Sequence, residues 1–95
     1  MMDTTHADVG SGETLYAITA VAALFEVGPE TLIRYERAGL LQPHVVNDVR
    51  FYTVADIDRL TTIRRLTDIC GINLAGVDVV LRLLDEIRNL QDQIS

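Results

Sequence analysis

About three residues, Glu26 to Gly28, separate two segments with helical character, and no other feature of the chain limits its fold as strongly. The first segment, residues 20 to 25, offers Val21, Ala22, Leu24 and Phe25 as an apolar side, with Thr19 as the expected cap because its hydroxyl accepts an early backbone N–H. The second starts more sharply. Gly28 is its N-cap, Pro29 takes the first helical position, and Glu30 suits the positive end of the helix dipole. Its stop follows Arg37 and Ala38 at Gly39, where a left-handed residue closes the last turn. Two short helices joined this tightly form a helix-turn-helix unit.

Beyond Pro43, the segments His44, Val45, Val46 and residues 49 to 52 read as two brief strands around an Asn47-Asp48 turn. A hairpin in this position is a wing. Thr53 and Asp56 then form a capping box, in which hydroxyl and carboxylate satisfy each other's backbone donors, and they open a third helix reaching about Ile69. Its apolar residues Val54, Ile57, Leu60, Ile63, Leu66 and Ile69 recur every three positions, so the stripe slips about 60° per step and the two ends are expected to bury different faces. Cys70 and Gly71 end this helix, and Asn73 caps a fourth that runs to about Gln93.

The fourth helix carries Val80, Leu83, Ile87, Leu90 and Ile94 at alternating three and four spacing, the pattern of a coiled-coil seam. A second frame through Val77, Val80, Leu84 and Ile87 broadens the apolar side. The expectation is a homodimer held by Val80, Leu83, Leu84, Ile87, Leu90 and Ile94; the alternative is a helix folded back on its own domain. The whole chain then reads as mainly α, with a disordered N-terminal arm at 1–14, a winged helix-turn-helix domain at 15–71 and a dimerisation helix at 72–95.

Charge weighs against one class of partner. Eight basic residues, all arginine, face fourteen acids, for a net charge of −6. Taken alone, that total disfavours nucleic acid, whose affinity for proteins comes largely from cations displacing counterions, and it points to a protein partner. Partition changes the inference. Between Leu15 and Arg65 the arginines at 34, 37, 50, 59, 64 and 65 balance the acids at 26, 30, 36, 48, 56 and 58, so the deficit belongs to the arm and the last helix. A neutral winged domain permits a basic face with few phosphate contacts.

At 95 residues the chain is one small domain plus an arm, too short for a multidomain enzyme. It shows neither a signal peptide nor an apolar run long enough for a membrane, so a soluble cytoplasmic protein without membrane partners is expected. The single cysteine, Cys70, excludes an internal disulfide and a cysteine-built zinc site. His6 and His44 stand outside any nucleophilic or acid–base spacing, and no phosphate-binding glycine loop appears. No enzyme activity, cofactor or metal is expected.

The residues Tyr16, Ala17, Ile18, Val21, Ala22, Leu24 and Val27, and above all the run from Thr31 through Leu32, Ile33, Arg34, Tyr35, Glu36, Arg37, Ala38, Gly39, Leu40, Leu41 and Gln42 to Pro43, resemble the MerR family of winged helix-turn-helix proteins. Arg50, Phe51 and Tyr52 resemble that family's wing, and Asp56, Ile57 and Leu60 its next helix, without a gap. The likeness covers about residues 15 to 90. Asn73, Leu74, Ala75, Gly76 and Val77 resemble the heat-shock repressor branch, HspR, while the stretch from Gly76 through Leu81 to Leu90 is also similar to CbpM-type chaperone modulators. The resemblance implies a repressor that binds double-stranded DNA as a homodimer in a stress response. The alternative it implies is a modulator that binds a J-domain co-chaperone through Ile33 and the fourth helix.

On the first reading, the family geometry places DNA contacts at Thr31, Arg34, Tyr35 and Arg37 and wing contacts at Arg50 and Tyr52. Guanidinium groups grip phosphate or a guanine edge, and a tyrosine hydroxyl donates to phosphate. The plainer reading is that Arg37 pairs with a local acid while Tyr35 and Tyr52 complete the core. This chain also departs from the family pattern: Ile33 and Arg34 stand where an arginine and an aromatic or Gln are common, Glu26 where glycine is frequent, and Gly28 where serine is common.

Overall fold

The computed structural model describes the backbone of residues 6–8 and the whole of residues 14–94. The elements are β1 (His6–Asp8), β2 (Thr14–Ala17), α1 (Ile18–Leu24), α2 (Pro29–Arg37), β3 (His44–Val46), β4 (Val49–Tyr52), α3 (Val54–Arg64), a π-helical turn (Arg65–Ile69) and α4 (Leu74–Ile94). They fall into two compact units, Met1–Thr62 and Ile63–Ser95, which divide within α3. The sequence had suggested a division after Gly71.

The first unit is the winged helix-turn-helix. α1 and α2 each end in a complete Schellman closure, the left-handed motif that satisfies a helix's last carbonyls. At the end of α2, Leu40 N–H donates to the Tyr35 carbonyl and Gly39 N–H to that of Glu36, both at 2.9 Å, with Gly39 at φ 78°. At the end of α1, Val27 N–H reaches the Ala22 carbonyl at 3.0 Å and Glu26 N–H that of Ala23 at 3.1 Å. There the left-handed residue is Glu26, at φ 57°. The family's glycine at this position therefore has a steric reason, and this chain bends the turn without it.

Thr19 does not cap α1. The N-cap is Ala17, because β2 stays extended up to its pairing of Ala17 with Phe51, and the helix starts at once behind it. The wing follows its sequence. Asn47 and Asp48 adopt φ 50° and 64°, the paired left-handed values of a tight hairpin turn, and both residue types tolerate that region. Thr53 and Asp56 close the capping box: Asp56 Oδ2 accepts from Thr53 N–H at 2.9 Å, and Thr53 Oγ1 accepts from Asp56 N–H at 3.1 Å.

The sheet order is β1-β2-β4-β3, antiparallel throughout. Two of its pairings went unforeseen. β2 pairs with the inner wing strand, Tyr16 opposite Tyr52, so the wing is stitched to the segment leading into the helix-turn-helix. His6 to Asp8 pair with Tyr16 to Thr14, which corrects the expectation of an arm without structure at these three residues, since the open edge of β2 offers them backbone partners. Thr14, also within the expected arm, opens β2, and the arm's remaining residues, 1–5 and 9–13, lie outside the described residues. Leu15, Val21, Leu32, Tyr35, Leu40, Tyr52 and Leu60 form the buried core of this unit. Arg59 of α3 donates Nε–H to the Leu40 carbonyl at 2.7 Å, pinning the loop after α2.

In the second unit the helix expected to reach Ile69 ends in a π turn, with Cys70 N–H bonded to the Arg65 carbonyl at 3.2 Å and Gly71 left-handed at φ 66°. Asn73 caps α4 as expected, its Oδ1 accepting from Gly76 N–H at 2.9 Å. Ile63, Val77 and Leu81 are this unit's buried residues.

Candidate nucleic-acid interface

The outer face of α2 follows from which residues its inner face buries. Leu32 and Tyr35 are in the core, so at about 100° per residue Glu30, Arg34 and Arg37 project outward, with Thr31 and Ile33 half-buried at the margins. Arg34 and Arg37 are exposed and stand about 60° apart on adjacent turns. Arg37 makes no ion pair with another described residue, against the reading that a local acid neutralises it. The Arg34 guanidinium carbon lies 5.7 Å from the centroid of the Tyr35 ring, a cation–π contact that steadies its stem. Glu30 lies back over the start of the helix: a Cβ at Gly28 would overlap its carboxylate. A serine cap there would have to displace that carboxylate.

Two of the expected contacts are corrected. Tyr35 and Tyr52 are each only 1% exposed, so their rings belong to the core and not to a DNA-facing surface. The Tyr52 hydroxyl is already committed, donating to Glu36 Oε1 at 2.5 Å. Burial, then the hydrogen bond to Glu36 and that group's negative charge, raise the phenol far above its ordinary range and keep it protonated.

Glu36 is the residue that sequence reasoning overlooked. While Oε1 takes the Tyr52 hydroxyl, Oε2 accepts from Arg50 Nε at 3.1 Å. The carboxylate side chain is 9% exposed and that of Arg50 45%. Arg50 therefore stays at the surface, positioned by one edge of its guanidinium. A helical projection could have found Glu36, since it falls beside Leu32, one turn earlier, on the apolar side of α2.

Of the six acids that balance the winged domain's charge, two are turned to internal work: Glu36 on the wing and Asp56 in the capping box. The surface left on α2 is Arg34 and Arg37 against a retracted Glu30. Such a face can grip phosphates and base edges. It has no nucleophile–base pair, and among the described residues no three His, Cys, Asp or Glu side chains group as metal ligands. No helix among the described residues is long and apolar enough to cross a membrane.

In the second unit, the six residues expected at a dimer seam share about 120° of α4. Val80 is half-buried; the others are exposed, from Leu84 at 41% through Leu83 at 58% to Ile94 at 86%.

Comparison with known proteins agrees with this geometry. Residues 16–84 match the family described as MerR HTH family regulatory protein. A candidate heat shock protein HspR of Streptomyces coelicolor is 35% identical over 78 residues, which cover 81% of this chain and 52% of that protein. The chain thus spans about half the length of the curated relative it matches.

Proposed function

The chain belongs to the MerR family of helix-turn-helix regulatory proteins, and from that membership we propose that it is an HspR-like repressor that occupies an operator as a homodimer. α2 enters the major groove, where Arg34, Arg37 and Thr31 meet base edges and phosphates, and Arg50 on the wing meets the backbone. Two copies joined along α4 present two recognition helices to half-sites related by the dimer axis. Repression follows from occupancy of the promoter.

The observation that carries this reading is the pair of exposed arginines on the outer face of α2 beside a wing fastened to the same helix. Ile33 at the margin of that face suits the methyl group of a thymine. The test is binding to a promoter fragment by fluorescence anisotropy at low salt, where electrostatic binding is strongest. Arg34→Ala should weaken binding by about 1–3 kcal/mol if the guanidinium meets a base edge. Unchanged affinity in Arg34→Ala and Arg37→Ala would remove α2 as the reading element. Recovery of a J-domain partner instead of DNA would favour the chaperone-modulator alternative.

A further inference from the structure

We propose that Glu36 is the positioning residue of the interface: without touching DNA, it fixes the wing to the recognition helix and holds Arg50 in place for phosphate. The inference rests on the DNA-binding reading and deepens it.

A carboxylate this close to full burial is costly unless it is paired. Both of its oxygens are used, and by the same strand. Arg50 and Tyr52 are two apart on β4, so they project to one face of the sheet, and the two oxygens of a single glutamate meet them as a fork. β4 is hydrogen-bonded on both edges, to β2 through Tyr52 and Tyr16 and to β3 through Arg50 and Val45. Fixing β4 therefore fixes the hairpin. The other end of the fork lies on α2 next in sequence to Arg37 and two residues beyond Arg34. The spacing between helix and wing cations is thus set through one side chain.

The charge of Glu36 also has a local purpose. Apolar packing could fasten a wing to a helix at lower desolvation cost than a carboxylate does. A carboxylate also orients a guanidinium, and its charge makes that bond stronger than a neutral acceptor would. Glu36 engages Nε alone, and the terminal amino groups of Arg50 make no hydrogen bond with another described residue while its side chain is 45% exposed. Those donors can turn to a phosphate without breaking the fork.

The test uses the full chain, a 24-base-pair duplex selected by the wild type from a random pool, and a mixed-sequence duplex of equal length. The preference is the ratio of the two affinities. Glu36→Ala should lower it by about tenfold, the range of coupled side chains, while mixed-sequence binding holds or rises because an acid leaves the interface. Glu36→Gln keeps an acceptor and should recover part of the preference. In an Arg50→Ala background, Glu36→Ala should change little further. By NMR, the Arg50 Nε–H signal should be slow to exchange in the wild type and lost in Glu36→Ala.

An unchanged preference in both Glu36 variants overturns the proposal and leaves the DNA reading standing. So does a parallel loss of both affinities that tracks the folded fraction by circular dichroism. Should the alanine variant fail to fold, the glutamine variant and the Arg50 signal carry the comparison. A wild type that binds neither duplex defeats the DNA reading itself.

Discussion

Glu26 occupies a left-handed conformation that costs a residue with a Cβ about 1 kcal/mol or more. It is exposed and lies in the turn between α1 and α2. Glu26→Gly should therefore stabilise the fold by up to about 1 kcal/mol, less what glycine adds to unfolded-chain entropy. A rise in thermal midpoint is the expected result.

Tyr52 makes a different prediction. Its folded pKa lies above its unfolded value of about 10. Above that pH the unfolded chain releases a proton that the folded one keeps. Stability is thus full below about pH 10 and falls as pH rises beyond it, by up to about 1.4 kcal/mol per pH unit from this group. In urea titrations at pH 8 and 11, Tyr52→Phe should lose this alkaline dependence. At pH 8 the same variant should be about 1–3 kcal/mol less stable, because Glu36 loses a partner.

Side-chain roles divided sharply in how well the sequence displayed them. Resemblance marked Tyr35 and Tyr52 as contacts, yet a tyrosine near a binding face serves a core and a surface with the same ring. Only the packing around it, which is not local in sequence, decides between them.

At the level of elements, structures governed by neighbouring residues were legible. The Gly28-Pro29 start and Gly39 stop of α2, the Asn47-Asp48 turn, the Thr53–Asp56 box and the Asn73 cap all rest on bonds that close within a few residues. Pairings between distant segments were not. Nothing in Leu15, Tyr16 and Ala17 announces that they join the wing strand some 35 residues later, and this pairing is also what displaces the start of α1 from Thr19 to Ile18. The π turn likewise has no local signature in Arg65 to Ile69.

The apolar stripe of α4 was evident from its spacing, and its exposure in the single chain leaves it suited to a second copy. Leu83→Glu should convert a dimer to a monomer in sedimentation equilibrium while the helical circular dichroism of the first unit persists. A dimer that survives this change would place the seam elsewhere.

For the molecule as a whole, a net charge of −6 sets the scale of what DNA binding can be. The negative total does not govern the interface, since Glu36 and Asp56 are occupied within the fold and the face of α2 keeps two exposed arginines. Yet it leaves few cations to displace counterions. On the proposed reading, in which Arg34, Arg37 and Arg50 of each of two protomers meet DNA, at most about six phosphates would be neutralised, and the slope of log affinity against log salt should reach no more than about −5.

This salt titration on duplex DNA, run on the wild type and on the Arg34→Ala, Arg37→Ala double variant, shows directly whether α2 carries the DNA contacts. The expected result is a modest negative slope that becomes shallower by about 0.9 for each phosphate contact removed, or by close to 2 units per protomer where both arginines meet phosphate. Wild-type binding that is absent at low salt, or a slope and affinity that the double variant leaves unchanged, would contradict it.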